Sequence, residues 1–133
     1  MAEFVTFKIS KKLKEKGFPQ RKKNTLAMYN EYGEWFSLAR YLDVDEYSFD
    51  DFDEHDCVAP TISQARKWLR EQKKLNVEIF LYNGTYSYCV KSVTKICEDC
   101  HHQWLNDDTA DEEYDSYEEA ELAGIEYCLN NLI

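Results

Sequence analysis

A chain of 133 residues is the size of one domain and long enough to bury a core. Its 44% hydrophobic and 15% aromatic content excludes a disordered chain, although 32% of its residues are charged. The formal net charge is −10, with 17 of the 26 acidic residues in two windows, 43–56 and 107–121, and such a body repels nucleic-acid phosphates.

The first 23 residues have the opposite polarity, with eight Lys and Arg against Glu3 and Glu15. They predict a helix over about 6–16. Thr6 is placed to cap it, Ile9 and Leu13 share a face, and Gly17-Phe18-Pro19 ends it in a Schellman arrangement with Phe18 folding back onto Leu13. Residues 26–38 read as a strand pair around Asn30-Glu31-Tyr32-Gly33, with Tyr29, Trp35 and Phe36 as packing candidates. The first acidic window reads as a loop with aromatic anchors, ending at Pro60.

Thr61 and Gln64 form a capping box for a helix running to about Lys74. Its apolar face carries Ile62, Ala65, Trp68 and Leu69, and Arg66, Lys67, Arg70, Lys73 and Lys74 occupy much of the rest. Residues 77–90 spell a hairpin around Asn83-Gly84, a two-residue turn that sets Leu81 opposite Tyr86, Ile79 opposite Tyr88 and Val77 opposite Val90. These six are expected on one buried face against the 62–74 helix. Ser116 and Glu119 form a second capping box, opening a helix to about Leu132. Tyr117, Ala120, Ala123, Tyr127 and Leu132 are its expected buried stripe, widened by Leu122, Ile125, Leu129 and Ile133. The fold class that follows is α+β, a single domain over 1–133, with about three helices on one face of an antiparallel sheet.

Several of these segments, taken in order, resemble a family of small proteins of unknown function encoded by prophages and mobile elements of gut anaerobic bacteria. The matching pieces are Leu13-Lys14-Glu15-Lys16-Gly17-Phe18, Ala59-Pro60-Thr61, Lys67-Trp68-Leu69-Arg70-Glu71, Val77-Glu78-Ile79 and Tyr117-Glu118-Glu119-Ala120. The resemblance implies a mobile-element origin and a cytoplasmic protein, and it brings no activity or site. The residues point the same way on location. No run approaches the ~20 apolar residues that cross a bilayer, and the first residues lack the apolar stretch and cleavage site of a signal peptide. Five cysteines, an odd number, then fit reduced thiols.

For function, the acidic windows are the leading candidate. Asp43, Asp45, Glu46, Asp50, Asp51, Asp53, Glu54 and Asp56, with Asp107, Asp108, Asp111, Glu112 and Glu113, would form a surface for a host- or element-encoded protein, with nucleic-acid mimicry as its sharpest form. The ordinary reading of such runs is a solvated face. Neither window holds the glycine of an EF-hand loop. The alternative of another class is zinc on Cys97, Cys100 and His101, since two thiolates three apart plus an imidazole supply three tetrahedral positions. A second paired motif is missing, and a plain strand end or loop explains the string equally. Haem attachment at Cys97-Glu98-Asp99-Cys100-His101 needs export. A further alternative is nucleic-acid binding by the basic N-terminal helix, against a solvated helix face. The sequence shows no catalytic constellation and calls for no cofactor, so a non-enzymatic protein is expected.

Overall fold

In the computed structural model, which describes residues 3–20, 27–37, 55–93 and 113–133, helix α1 spans Phe7–Glu15. The Thr6 hydroxyl accepts from the Ile9 N–H at 3.3 Å. At the other end Gly17 takes φ +98°, and the N–H groups of Gly17 and Phe18 donate to the carbonyls of Lys14 and Leu13 at 3.2 and 2.9 Å. Both bonds of the expected Schellman stop are present. Ile9, Ser10 and Leu13 form the buried stripe of α1.

β1 (Ala27–Tyr29) and β2 (Trp35–Ser37) pair antiparallel, Met28 opposite Phe36. The turn between them is built by Asn30, whose Oδ1 accepts from the Tyr32 and Glu34 N–H groups at 2.9 and 3.0 Å. Gly33 is required twice over: its φ is +83°, and a Cβ there would stand 2.8 Å from the Phe7 ring. β3 (Cys57–Val58) adds to the other side of β1, giving the order β2-β1-β3. A two-residue strand carries no period to recognise, so the sequence gives it no signal. Val5, Ala27, Met28, Cys57, Val58 and Ala59 join the α1 stripe in being buried. Phe18 and Phe36 pack against Met28 and Val58. Together these elements make one compact unit, Met1–Thr61.

The second unit is Ile62–Ile133. It contains α2 (Ile62–Gln72), β4 (Leu75–Tyr82), β5 (Thr85–Ser92) and α3 (Tyr117–Tyr127), which runs on as a π-helical turn through Cys128–Leu132. The hairpin register is the expected one, with Leu81 opposite Tyr86, Ile79 opposite Tyr88 and Val77 opposite Val90, and it extends to Leu75 opposite Ser92. Asn83 and Gly84 both take positive φ, +50° and +82°, as the tight turn demands. The chain is therefore α+β, with its antiparallel strands in two small sheets of three and two strands.

Burial departs from expectation in two places. Val77, Tyr88 and Val90 are buried, but Ile79 is half-buried and Leu81 is 63% exposed, so the apolar face is covered only at the end away from the turn. The helix on that covered end is α3, because a Cβ on Gly124 would fall against both Val77 and Tyr88, while the expected α2 reaches β4 through Arg66 and the Val77 carbonyl. The opposite face is not free either, since Ser87 and Cys89 are buried. The stripe of α3 is also rotated from the expected one. Ala120, Glu121, Gly124, Ile125, Cys128 and Leu129 are buried, whereas Tyr117 is 40% exposed and Ala123, Tyr127 and Leu132 are half-buried. The helix turns its glycine to the sheet because only there can the backbones approach closely.

Cys128 lies on this buried arc, and burial pushes its thiol from 9.0 up to about 12. The folded protein holds this proton more tightly than the unfolded chain does. Its contribution to stability is thus complete below pH 9 and is lost as the pH rises toward 12. Melting temperatures measured from pH 8 upward should fall more steeply for wild type than for Cys128→Ala. Parallel slopes would contradict this.

Candidate functional site

The described part of the second acidic window begins at Glu113. Tyr114 is the residue that ties it to the fold. It forms an antiparallel bridge with Tyr86, Tyr86 donating to Tyr114 at 2.9 Å and Tyr114 to Tyr86 at 2.7 Å. The Tyr114 ring stacks 6.1 Å from Tyr88. Two residues on, the Ser116 hydroxyl accepts from the Glu119 N–H at 3.1 Å and starts α3. Tyr117 then meets Tyr86 edge to face at 5.9 Å. Backbone pairing, a helix cap and aromatic packing thus act within four consecutive residues. Each is worth about 0.5–1.5 kcal/mol on its own.

Below this shoulder lies an ion pair the sequence did not single out. Arg66 Nη1 reaches Glu121 Oε2 at 2.6 Å, with side-chain exposures of 19% and 10%. The same nitrogen donates to the Tyr117 hydroxyl at 3.4 Å, and Arg66 Nη2 donates to the Val77 carbonyl. Burial alone would lower the Arg66 pKa, but its hydrogen bonds to Tyr117 and Glu121 outweigh that and raise it. One guanidinium therefore links α2, β4 and α3. The available signal was helical phase: Glu121 lies four residues before Ile125, on the apolar arc of its helix.

What remains outward is carboxylate. Glu113, Asp115 and Glu119 are exposed and Glu118 is half-buried, with no Lys or Arg between 113 and 121 to neutralise them. Glu118 and Glu119 also lie in the first turn of α3, where negative charge is favoured by the helix dipole.

Among the other expected site residues, Asp56 is half-buried before β3, and its main-chain carbonyl accepts from Lys14 Nζ at 2.8 Å. Asp43, Asp45, Glu46, Asp50, Asp51, Asp53, Glu54, Asp107, Asp108, Asp111 and Glu112 lie outside the described residues, as do Cys97, Cys100 and His101. Among the described residues no group of three or more His, Cys, Asp or Glu is arranged to hold a metal ion. Their cysteines, Cys57, Cys89 and Cys128, are buried free thiols. Burial first, and then the neighbouring Glu78 carboxylate, push Cys89 up to about 11, the opposite of what a reactive thiol needs. On α1, Lys11 Nζ sits over the Phe7 ring at 5.3 Å. Among the described residues no helix is long and apolar enough to cross a membrane. No protein-family model, curated protein or solved structure matches the chain.

Proposed function

We propose that the chain is a non-enzymatic binding protein that engages a basic face of a protein partner through its acidic surface. The observation that carries this reading is the shoulder at 113–119, where Glu113, Asp115 and Glu119 are exposed on backbone pinned by the Tyr114–Tyr86 bridge and the Ser116 cap. Carboxylates on a fixed frame hold their spacing when they meet a partner, so little ordering entropy opposes binding. A chain of net charge −10 also steers a cationic surface toward itself over several ångströms of water. The same features suit occupation of a phosphate-binding groove, which is how an accessory protein of a mobile element would inhibit a nucleic-acid-binding protein.

The test is affinity capture from the native host with two baits. One is wild type and the other carries Glu113→Gln, Asp115→Asn and Glu119→Gln together. Gln at 119 keeps the capping-box geometry, so the variant should stay folded, melting slightly below wild type for the charge lost at the start of α3. A partner retained by the first bait and lost by the second supports the reading. A partner held equally by both contradicts it.

A further inference from the structure

Peptide geometry gives the shoulder an open outer edge. The N–H and C=O of one planar peptide point in opposite directions. Both main-chain groups of Tyr114 are turned inward, its N–H donating to the Tyr86 carbonyl and its carbonyl accepting from the Tyr86 N–H. The two peptides that flank Tyr114 therefore turn the Glu113 carbonyl and the Asp115 N–H outward, away from β5. Among the described residues neither Glu113 nor Asp115 makes a hydrogen bond, and both are exposed.

The side chains on this edge decide what can pair with it. Successive residues of an extended segment leave on opposite faces. Tyr114 packs its ring on Tyr88 at 6.1 Å, so Glu113 and Asp115 leave together on the other face, about 6.5 Å apart along the chain. A second copy pairing antiparallel about Tyr114 would set Glu113 against Asp115 twice, and like charges directly opposite destabilise a strand pair. A strand with lysine or arginine at both positions would form two cross-strand ion pairs instead. No Lys or Arg between 113 and 121 competes for these carboxylates.

We propose that this edge accepts an extended basic segment of the protein partner as an added antiparallel strand. The inference rests on the acidic-surface reading and names the form its partner takes. One residue of the partner lies opposite Tyr114. The residue after it lies opposite Glu113 and donates its N–H to the Glu113 carbonyl. The residue before it lies opposite Asp115, and its carbonyl accepts from the Asp115 N–H. Both neighbours extend their side chains on the face of the two carboxylates. The recognised pattern is thus two basic residues separated by one of any kind, with no proline where the N–H must donate.

The probes are three short peptides of equal charge, titrated into the full chain at low salt. One alternates lysine and threonine, one gathers the same lysines into a block, and one is the alternating peptide methylated on its lysine backbone nitrogens. The alternating peptide should bind at least about tenfold more tightly than either of the others, and Glu113→Gln with Asp115→Asn should remove that preference. Amide exchange supplies a readout that needs no variant. The Asp115 amide should exchange more slowly when the alternating peptide is added, while the Tyr114 amide, already bonded to Tyr86, should not change. Should the double variant disturb the fold, that pattern in wild type decides alone. Equal binding of the three peptides, a preference that survives in a folded double variant, or an Asp115 amide that ignores the peptide would overturn the inference. Equal binding would leave the acidic-surface reading standing, as attraction by charge without strand pairing. Failure of all three peptides to bind would also overturn the inference, and the two capture baits would still decide the acidic-surface reading separately.

Discussion

Glu121→Ala is expected to destabilise the 62–133 unit by about 3–5 kcal/mol, the cost of leaving a buried partner charge uncompensated. Arg66 is only 19% exposed and cannot turn to water without giving up its bonds to Tyr117 and the Val77 carbonyl. The Arg66 Nε is already buried without a hydrogen-bond partner, so the group has no further polar contact to fall back on. Replacing both members, Arg66→Met with Glu121→Leu, should recover most of the loss, because apolar residues of similar volume tolerate such a site. The check is a urea midpoint for each single and the double variant. A loss below about 1 kcal/mol for Glu121→Ala would mean that the pair behaves as an exposed one.

Gly124→Ala should also destabilise, by about 1–3 kcal/mol, against the usual trend for a glycine inside a helix. Alanine ordinarily gains up to about 1 kcal/mol at such a position. Here its Cβ would meet Val77 Cγ1 at 2.4 Å and the Tyr88 ring at 3.2 Å, both on the buried face of the hairpin. α3 must then lift from the sheet or the two side chains must leave their rotamers. Thermal melts of wild type and variant decide the sign. A raised melting temperature would show that the contact yields without cost.

Much of the frame was legible because local chemistry and pattern agreed. Gly17 with Phe18, Asn83 with Gly84, and Ser116 with Glu119 each impose a backbone geometry that few other residues satisfy, and each marks the expected boundary. What was not legible depends on contacts between distant segments. The phase of α3 is set by Gly124 pressing on Val77 and Tyr88, whereas counting apolar residues favoured a stripe through Tyr117 and Tyr127. Leu81 is apolar and in register, yet burial stops before it. The acidic shoulder was readable as charge. Its anchoring through Tyr114 was not, because the Tyr86 bridge joins residues 28 positions apart. Arg66 reads as a surface cation until the structure brings Glu121 to it.

The central claim, that a fixed carboxylate shoulder recruits a basic protein, is tested most directly by association kinetics with the captured partner. Rates would be measured for wild type and for the Glu113→Gln, Asp115→Asn, Glu119→Gln variant at low and high salt. Charge steering is screened over about 8 Å at physiological ionic strength, so the wild-type association rate should fall at least about tenfold between roughly 50 and 500 mM salt. The variant should start slower and respond less, while keeping a cooperative melt close to that of wild type. Equal rates for the two proteins, indifferent to salt, would contradict the claim.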